Sequence, residues 1–192
     1  MIGIAAAVVV GVAVAGAVIA LASGGNAKAS SVPDAMRAAG CTYTSVKSKS
    51  HNHVTSLSAK IHYNTVPPSN GNHYYNPGIW GFYTTPANPI QVVHNEEHGG
   101  VILWWGSKVP QSTIDQLHSF YNSSPNGMFG TPYPALGKKI AISAWPSPAG
   151  ARGTGVVATC TTFNKSAFTK FRDAYRGKGR ERFPLNTLTP GT

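Results

Sequence analysis

The chain has 192 residues, enough for one domain with an appendage. Lys and Arg number 16 against 6 Asp and Glu, a formal net charge of +10, yet charged residues make up only 11%. The basic balance therefore comes from scarce acids, which argues against a dense nucleic-acid-binding surface and nearly excludes carboxylate-rich calcium or magnesium sites. With seven histidines beside six acids, imidazole is the main ligand on offer to any metal.

Residues 1–22 carry no charged side chain, and Ile2 to Ala22 is Ala, Val, Ile, Leu and Gly throughout. About 20 such residues span a bilayer as a helix. Ala20-Leu21-Ala22 before Ser23 also fits the cleavage site of a signal segment, but the run is longer than a usual signal core. The sequence thus predicts a single-pass membrane anchor, with secretion as the alternative, and either places residues 23–192 outside the cytoplasm. Residues 23–49 read as a tether and a short helix. Ser23–Ser31 is rich in Gly, Ser and Ala, Pro33 opens the helix and Gly40 closes it. Residues 50–192 read as one extracytoplasmic α+β domain. Cys41 and Cys160 are expected to close one disulfide, since paired cysteines persist in exported domains.

Ser45–Ser58 is polar and predicts loop, and Lys60–Thr65 has the alternation of a short strand. Pro67-Pro68-Ser69-Asn70-Gly71-Asn72 predicts a turn. Trp80–Tyr83 predicts a brief edge strand, and Ile90–Val93 and Val101–Trp105 predict strands from their β-branched and aromatic content. Ser112–Asn122 has helical spacing, and Met128 reads as a core methionine in a loop rather than a soft copper ligand. Lys139–Trp145 and Gly155–Thr161 predict further strands. Asn164 caps a helix carrying Phe168, Phe171 and Tyr175, which Gly177 ends. The tail after Arg180 reads as loosely held. The sum is α+β: a small, largely antiparallel sheet with two or three short helices, preceded by the transmembrane helix.

Six of the seven histidines (His51, His53, His62, His73, His94, His98 and, apart, His118) fall between residues 51 and 98. Loops on a rigid scaffold are where ligand residues concentrate. His94-Asn95-Glu96-Glu97-His98 matches H-x-x-E-H, a zinc-protease signature in which two histidines four apart on a helix bind the metal beside a glutamate. The flanking β-type runs and Gly99-Gly100 predict no helix here, which counts against protease chemistry. Extended or turned, the segment still brings His94 and His98 together, as a metal requires. The Pro67–Asn72 turn presents His73 at a fixed angle. His51 and His53 read first as exposed loop residues, and His62 and His118 as solvent-facing or structural. The chain holds no nucleophile elbow, P-loop or dinucleotide fingerprint. The basic stretch around Arg172, Arg176, Lys178, Arg180 and Arg182 reads as a solvated helix end.

The ordered set His53-Val54, Tyr63-Asn64, Pro67-Pro68-x-x-Gly71-x-His73, Trp80-Gly81-x-Tyr83, Val93-His94-x-x-Glu97-His98-Gly99-Gly100-Val101, Pro132-Tyr133-Pro134, Ile140–Trp145 and Phe171–Gly179 resembles a bacterial family numbered 3105 among the domains of unknown function. The resemblance covers roughly residues 50–184. It implies an exported or membrane-anchored protein and picks out His53, His73, His94 and His98 together with Glu97. Glu96 departs from the family pattern, which has an apolar residue there, and is expected to add negative charge beside the site. With these candidates the histidine pattern predicts a metal site in which His94 and His98 are the core ligands, His73 and His53 complete the set, and Glu97 orients one imidazole through its free N–H. Copper is the expected ion and zinc the alternative. The function expected is metal handling or electron transfer at the cell membrane, with the metal and the membrane as partners and no nucleic acid. A hydrolase or oxidase with three histidines and an open position is one alternative. A non-metal module that binds the envelope is another.

Overall fold

A computed structural model describes residues 30–148 and 151–192. No helix among them is long and apolar enough to cross a membrane, and the expected anchor at residues 1–22 lies outside the described residues. The described residues form an α+β fold, with four α-helices and a mixed five-stranded sheet among them.

Helix α1 (Val32–Ala38) starts where the sequence places it, with Ser31 as cap and Pro33 in the first turn. Gly40 turns the chain out with φ 78°. Strand β1 (Thr42–Lys47) then pairs antiparallel with β7 (Thr154–Cys160). This corrects the loop expected from Ser45 onward. β1 is an edge strand with mostly exposed side chains, so it lacks the apolar alternation that marks a half-buried strand. Cys41 and Cys160 form the expected disulfide and fasten this edge to the end of β7.

The sheet order is β1-β7-β6-β4-β5, with β4 at Val101–Trp105, β5 at Met128–Pro132 and β6 at Ile140–Ala144. Three of its pairings are antiparallel and β4–β5 is parallel, so the sheet is mixed. A parallel pair needs a crossover, which α3 (Gln111–Asn122) supplies. β4 is covered on both faces, which is why Val-Ile-Leu-Trp-Trp runs apolar without alternation. One face packs Val101, Leu103 and Trp105 with Leu117 and Phe120 of α3 and with Phe168 and Phe171 of α4 (Lys165–Tyr175). The other packs Ile102 and Trp104 with Phe129, Trp80 and Val92.

That second face carries the main correction. Ile90–Val93, expected as a strand, belongs to helix α2 (Pro89–Glu97). Asn88 caps it by accepting from the Ile90 amide, and Pro89 sits in its first turn. Buried Ile90, Val92 and Val93 pack inward from a helix, so tertiary contact overrides their β preference. Lys60–Thr65 forms no strand. There the Tyr63 hydroxyl donates to the Asn72 carbonyl across the following turn. Met128 is buried within β5 rather than in a loop. Phe82 bridges to Gly130 on the outer side of β5, a single rung of the expected edge strand. The tail is not loose. The Gly127 amide donates to the Leu188 carbonyl, the Trp80 amide donates to the Thr192 carbonyl, and Leu188 is buried.

Candidate metal centre

Three segments distant in sequence meet at the carboxyl end of α2. The first two form a short parallel ladder, β2 (His53–Val54) with β3 (His73–Tyr74), which sets His53 directly beside His73. The ladder is fixed by the preceding turn. Asn72 accepts from the Asn52 amide through its side chain, the His73 amide donates to the Asn52 carbonyl, and buried Ser69 shares a hydrogen bond with Thr65. The third is α2, on which His94 and Glu97 lie three apart and so share a face.

The last turn of α2 is polar and yet buried: His94, Asn95, Glu96 and Glu97 are all inaccessible. Buried polar groups need partners. Asn95 holds both backbone groups of Gly78. Glu96 accepts from the Ser143 hydroxyl, which in turn accepts from the Trp104 indole N–H. Burial pushes the Glu96 carboxyl well above its usual value, which disfavours the negative charge expected there.

His94 and Glu97 face the ladder. The ring centroids of His53, His73 and His94 form a nearly equilateral triangle, 4.8, 4.9 and 4.7 Å on its sides. Glu97 Oε2 lies 2.9 Å from His73 Nε2 and 3.7 Å from His53 Nε2. One ligand atom from each of His53, His73, His94 and Glu97 falls within 4.8 Å of the others. A tetrahedral ion with bonds near 2.0–2.1 Å has ligand–ligand edges of about 3.3 Å, which this spread brackets.

The tautomers favour ligation. His73 Nδ1 donates to the Gly71 carbonyl and His94 Nδ1 to the Tyr74 carbonyl, each at 2.8 Å. With Nδ1 engaged, Nε2 is the ring nitrogen each has left for a metal. Burial, followed by the neighbouring His98, lowers the His94 pKa to about 4, so the ring is neutral at physiological pH. Burial alone would raise Glu97. His73, His94 and Arg180 outweigh it and hold the carboxyl below its usual value, so it is ionised. His73 Nε2 and Glu97 Oε2 are buried, and neither makes a well-directed hydrogen bond. At 2.9 Å this pair needs a proton or a metal cation between its two atoms. The helix end adds to this, because its partial negative charge disfavours the carboxylate and favours a cation.

Two further residues reach the site from the chain after α4. Arg180 Nη1 is 3.4 Å from Glu97 Oε1 and 3.7 Å from Glu181 Oε1. Glu181 Oε2 is 3.4 Å from His98 Nε2. The segment is held against the end of α2 by the Gly177 amide on the Gly99 carbonyl and the Glu181 amide on the Glu97 carbonyl.

Of the site residues read from sequence, His53, His73 and His94 meet with Glu97, whose Oε2 faces the rings. His98 falls in a second group with His94 and Glu181. His118 stacks on Phe82, and His51 and His62 join neither group. Arg180 and Glu181 went unrecognised as site residues. Their signal was the pair Gly99 and Gly179, where the backbones approach too closely for any side chain.

The family model described as "Protein of unknown function (DUF3105)" matches residues 53–186, and the chain belongs to that family. Neither the curated proteins nor the solved structures yield a match.

Proposed function

We propose that this member of the family binds one divalent transition-metal ion through His53, His73, His94 and Glu97 and serves in metal handling outside the cytoplasm. The observation that carries the reading is the orphaned pair: His73 Nε2 and Glu97 Oε2, buried at 2.9 Å without a hydrogen bond, inside a triangle of three imidazoles. Three imidazoles and one carboxylate form a borderline set without sulfur, suited to copper(II) and zinc. Copper(II) binds such a set most tightly among the divalent ions, so copper is the first assignment and zinc the second. The exported setting, with the chain tethered through residues 1–22 or secreted, agrees with the Cys41–Cys160 disulfide, since disulfides persist in oxidising compartments.

A hydrolytic reading draws on one observation, the helical context of H-x-x-E-H. In that chemistry the glutamate is a free base. Here Glu97 Oε2 lies among the three imidazoles as a fourth ligand and Oε1 faces Arg180, and four protein ligands leave little room for substrate. Both favour holding an ion over turning over a substrate.

The test is elemental analysis of the protein purified from an oxidising compartment, never exposed to chelator or nickel resin. Near-stoichiometric copper or zinc in the wild type, falling well below one ion per chain in His73→Ala and in Glu97→Gln as purified, is the expected result. A folded, metal-free protein that takes up neither ion afterwards would overturn the reading.

A further inference from the structure

The second group, His94, His98 and Glu181, has ligand atoms within 4.8 Å of one another and shares His94 with the first. The two groups are built alike. In each, a carboxylate turns Oε1 to Arg180 Nη1 and Oε2 to a histidine Nε2: Glu97 to His73, and Glu181 to His98. They differ in depth. The side chains of His73 and Glu97 are 0% and 1% exposed, whereas those of His98 and Glu181 are 13% and 40% exposed. One guanidinium therefore links a buried carboxylate to one at the surface.

His94 ties the groups in a way that restricts them. Its Nδ1 proton is committed to the Tyr74 carbonyl, which leaves Nε2 as its one lone pair. One lone pair ligates one ion. The two groups are thus two positions for a single ion rather than two filled sites.

We propose that His94, His98 and Glu181 form an outer landing position from which a divalent transition-metal ion passes to the inner set of His53, His73, His94 and Glu97. The passage is a ligand exchange. His94 stays bound while His98 and Glu181 give way to His73, Glu97 and His53, so the ion is never stripped of protein ligands. No electron is transferred and the ion keeps its charge. Arg180 follows the exchange, because a cation in either position takes over the carboxylate charge that the guanidinium otherwise faces alone. The outer position has three protein ligands and the inner one four, so the inner position binds more tightly.

This inference rests on the inner metal site, and the test separates the two. The full chain is loaded with cobalt(II), whose ligand-field absorption reports coordination, by stopped flow. It is then unloaded into excess chelator. Wild type is compared with Glu181→Gln, whose side chain is 40% exposed, and with His98→Asn. One ion per chain is expected in all three. Loading and release should both slow tenfold or more in the variants, by a similar factor, so that their ratio moves less than threefold. His73→Ala should keep a weaker site with an altered spectrum, and that residual binding should vanish when Glu181→Gln is added. Variants that load and release at wild-type rates, or two ions per wild-type chain, would overturn the landing position and leave the inner site standing. Failure of the wild type to take up any ion would overturn both.

Discussion

Gly179→Ala would drive a methyl group into the Glu97 carbonyl oxygen and the Gly99 amide nitrogen, with the Gly99 Cα 2.7 Å away. All three neighbours are backbone, so no side-chain rotation relieves the overlap. The segment carrying Arg180 and Glu181 must move off the end of α2. That motion breaks the Gly177–Gly99 bond at 2.8 Å and the Glu181–Glu97 bond at 3.0 Å. Two hydrogen bonds at about 1 kcal/mol each, with about 1–3 kcal/mol of overpacking, give a loss of about 3–5 kcal/mol. Removing Arg180 from Glu97 also frees the carboxylate that it positions, and loss of such a supporting contact typically costs about 10–100-fold in metal affinity. Urea unfolding of the metal-free protein reads the first quantity, and competition with a chromophoric chelator reads the second. A variant with the wild-type urea midpoint and an affinity within twofold of wild type would refute the claim that this close approach builds the site.

Reduction of the Cys41–Cys160 disulfide opens a loop spanning a sequence separation of 119, worth about 5 kcal/mol in the loop-entropy model, and should appear as a large fall in the urea midpoint. Glu96→Gln should keep metal uptake and flatten one arm of the stability profile of the metal-free protein. Because the folded pKa of Glu96 is raised above 4.5, its contribution is full below that pH and is lost as pH rises toward the folded value, and glutamine removes this dependence. Equilibrium unfolding of the two proteins across that range checks the sign, and parallel profiles would contradict it. His53→Ala should change stability by no more than about 0.5 kcal/mol, because the side chain is 45% exposed. It should nonetheless weaken metal binding at least tenfold in the same chelator competition.

Much of the sheet was legible because β4, β6 and β7 are runs of β-branched and aromatic residues bounded by turn signals. β5 was missed because Gly130 and Pro132 interrupt its pattern, although a parallel partner and the bridge from Phe82 hold it in the sheet. α2 was missed for the opposite reason. Its Ile90, Val92 and Val93 look like a strand, although Asn88 caps the segment and Pro89 opens it as a helix. That error also hid the helical setting of H-x-x-E-H. The three histidines of the inner group were legible through the resemblance, with His53 and His73 carried by segments of little regular structure. The place of Glu97 was not, because a carboxylate beside a histidine reads equally as ligand or as orienting partner until the third dimension is known. Arg180 stands 83 residues from the Glu97 it contacts, and only backbone packing at Gly99 and Gly179 brings them together. Charge content alone assigns such a residue to a solvated surface.

The most direct test of the central claim is X-ray absorption fine structure on the copper- or zinc-loaded protein. Three imidazole rings, counted by their multiple scattering, and one further oxygen are expected, with bonds near 2.0–2.1 Å. One ring fewer is expected in His73→Ala. A shell of oxygen scatterers with one imidazole or none, unchanged by that substitution, would place the metal elsewhere and contradict the account.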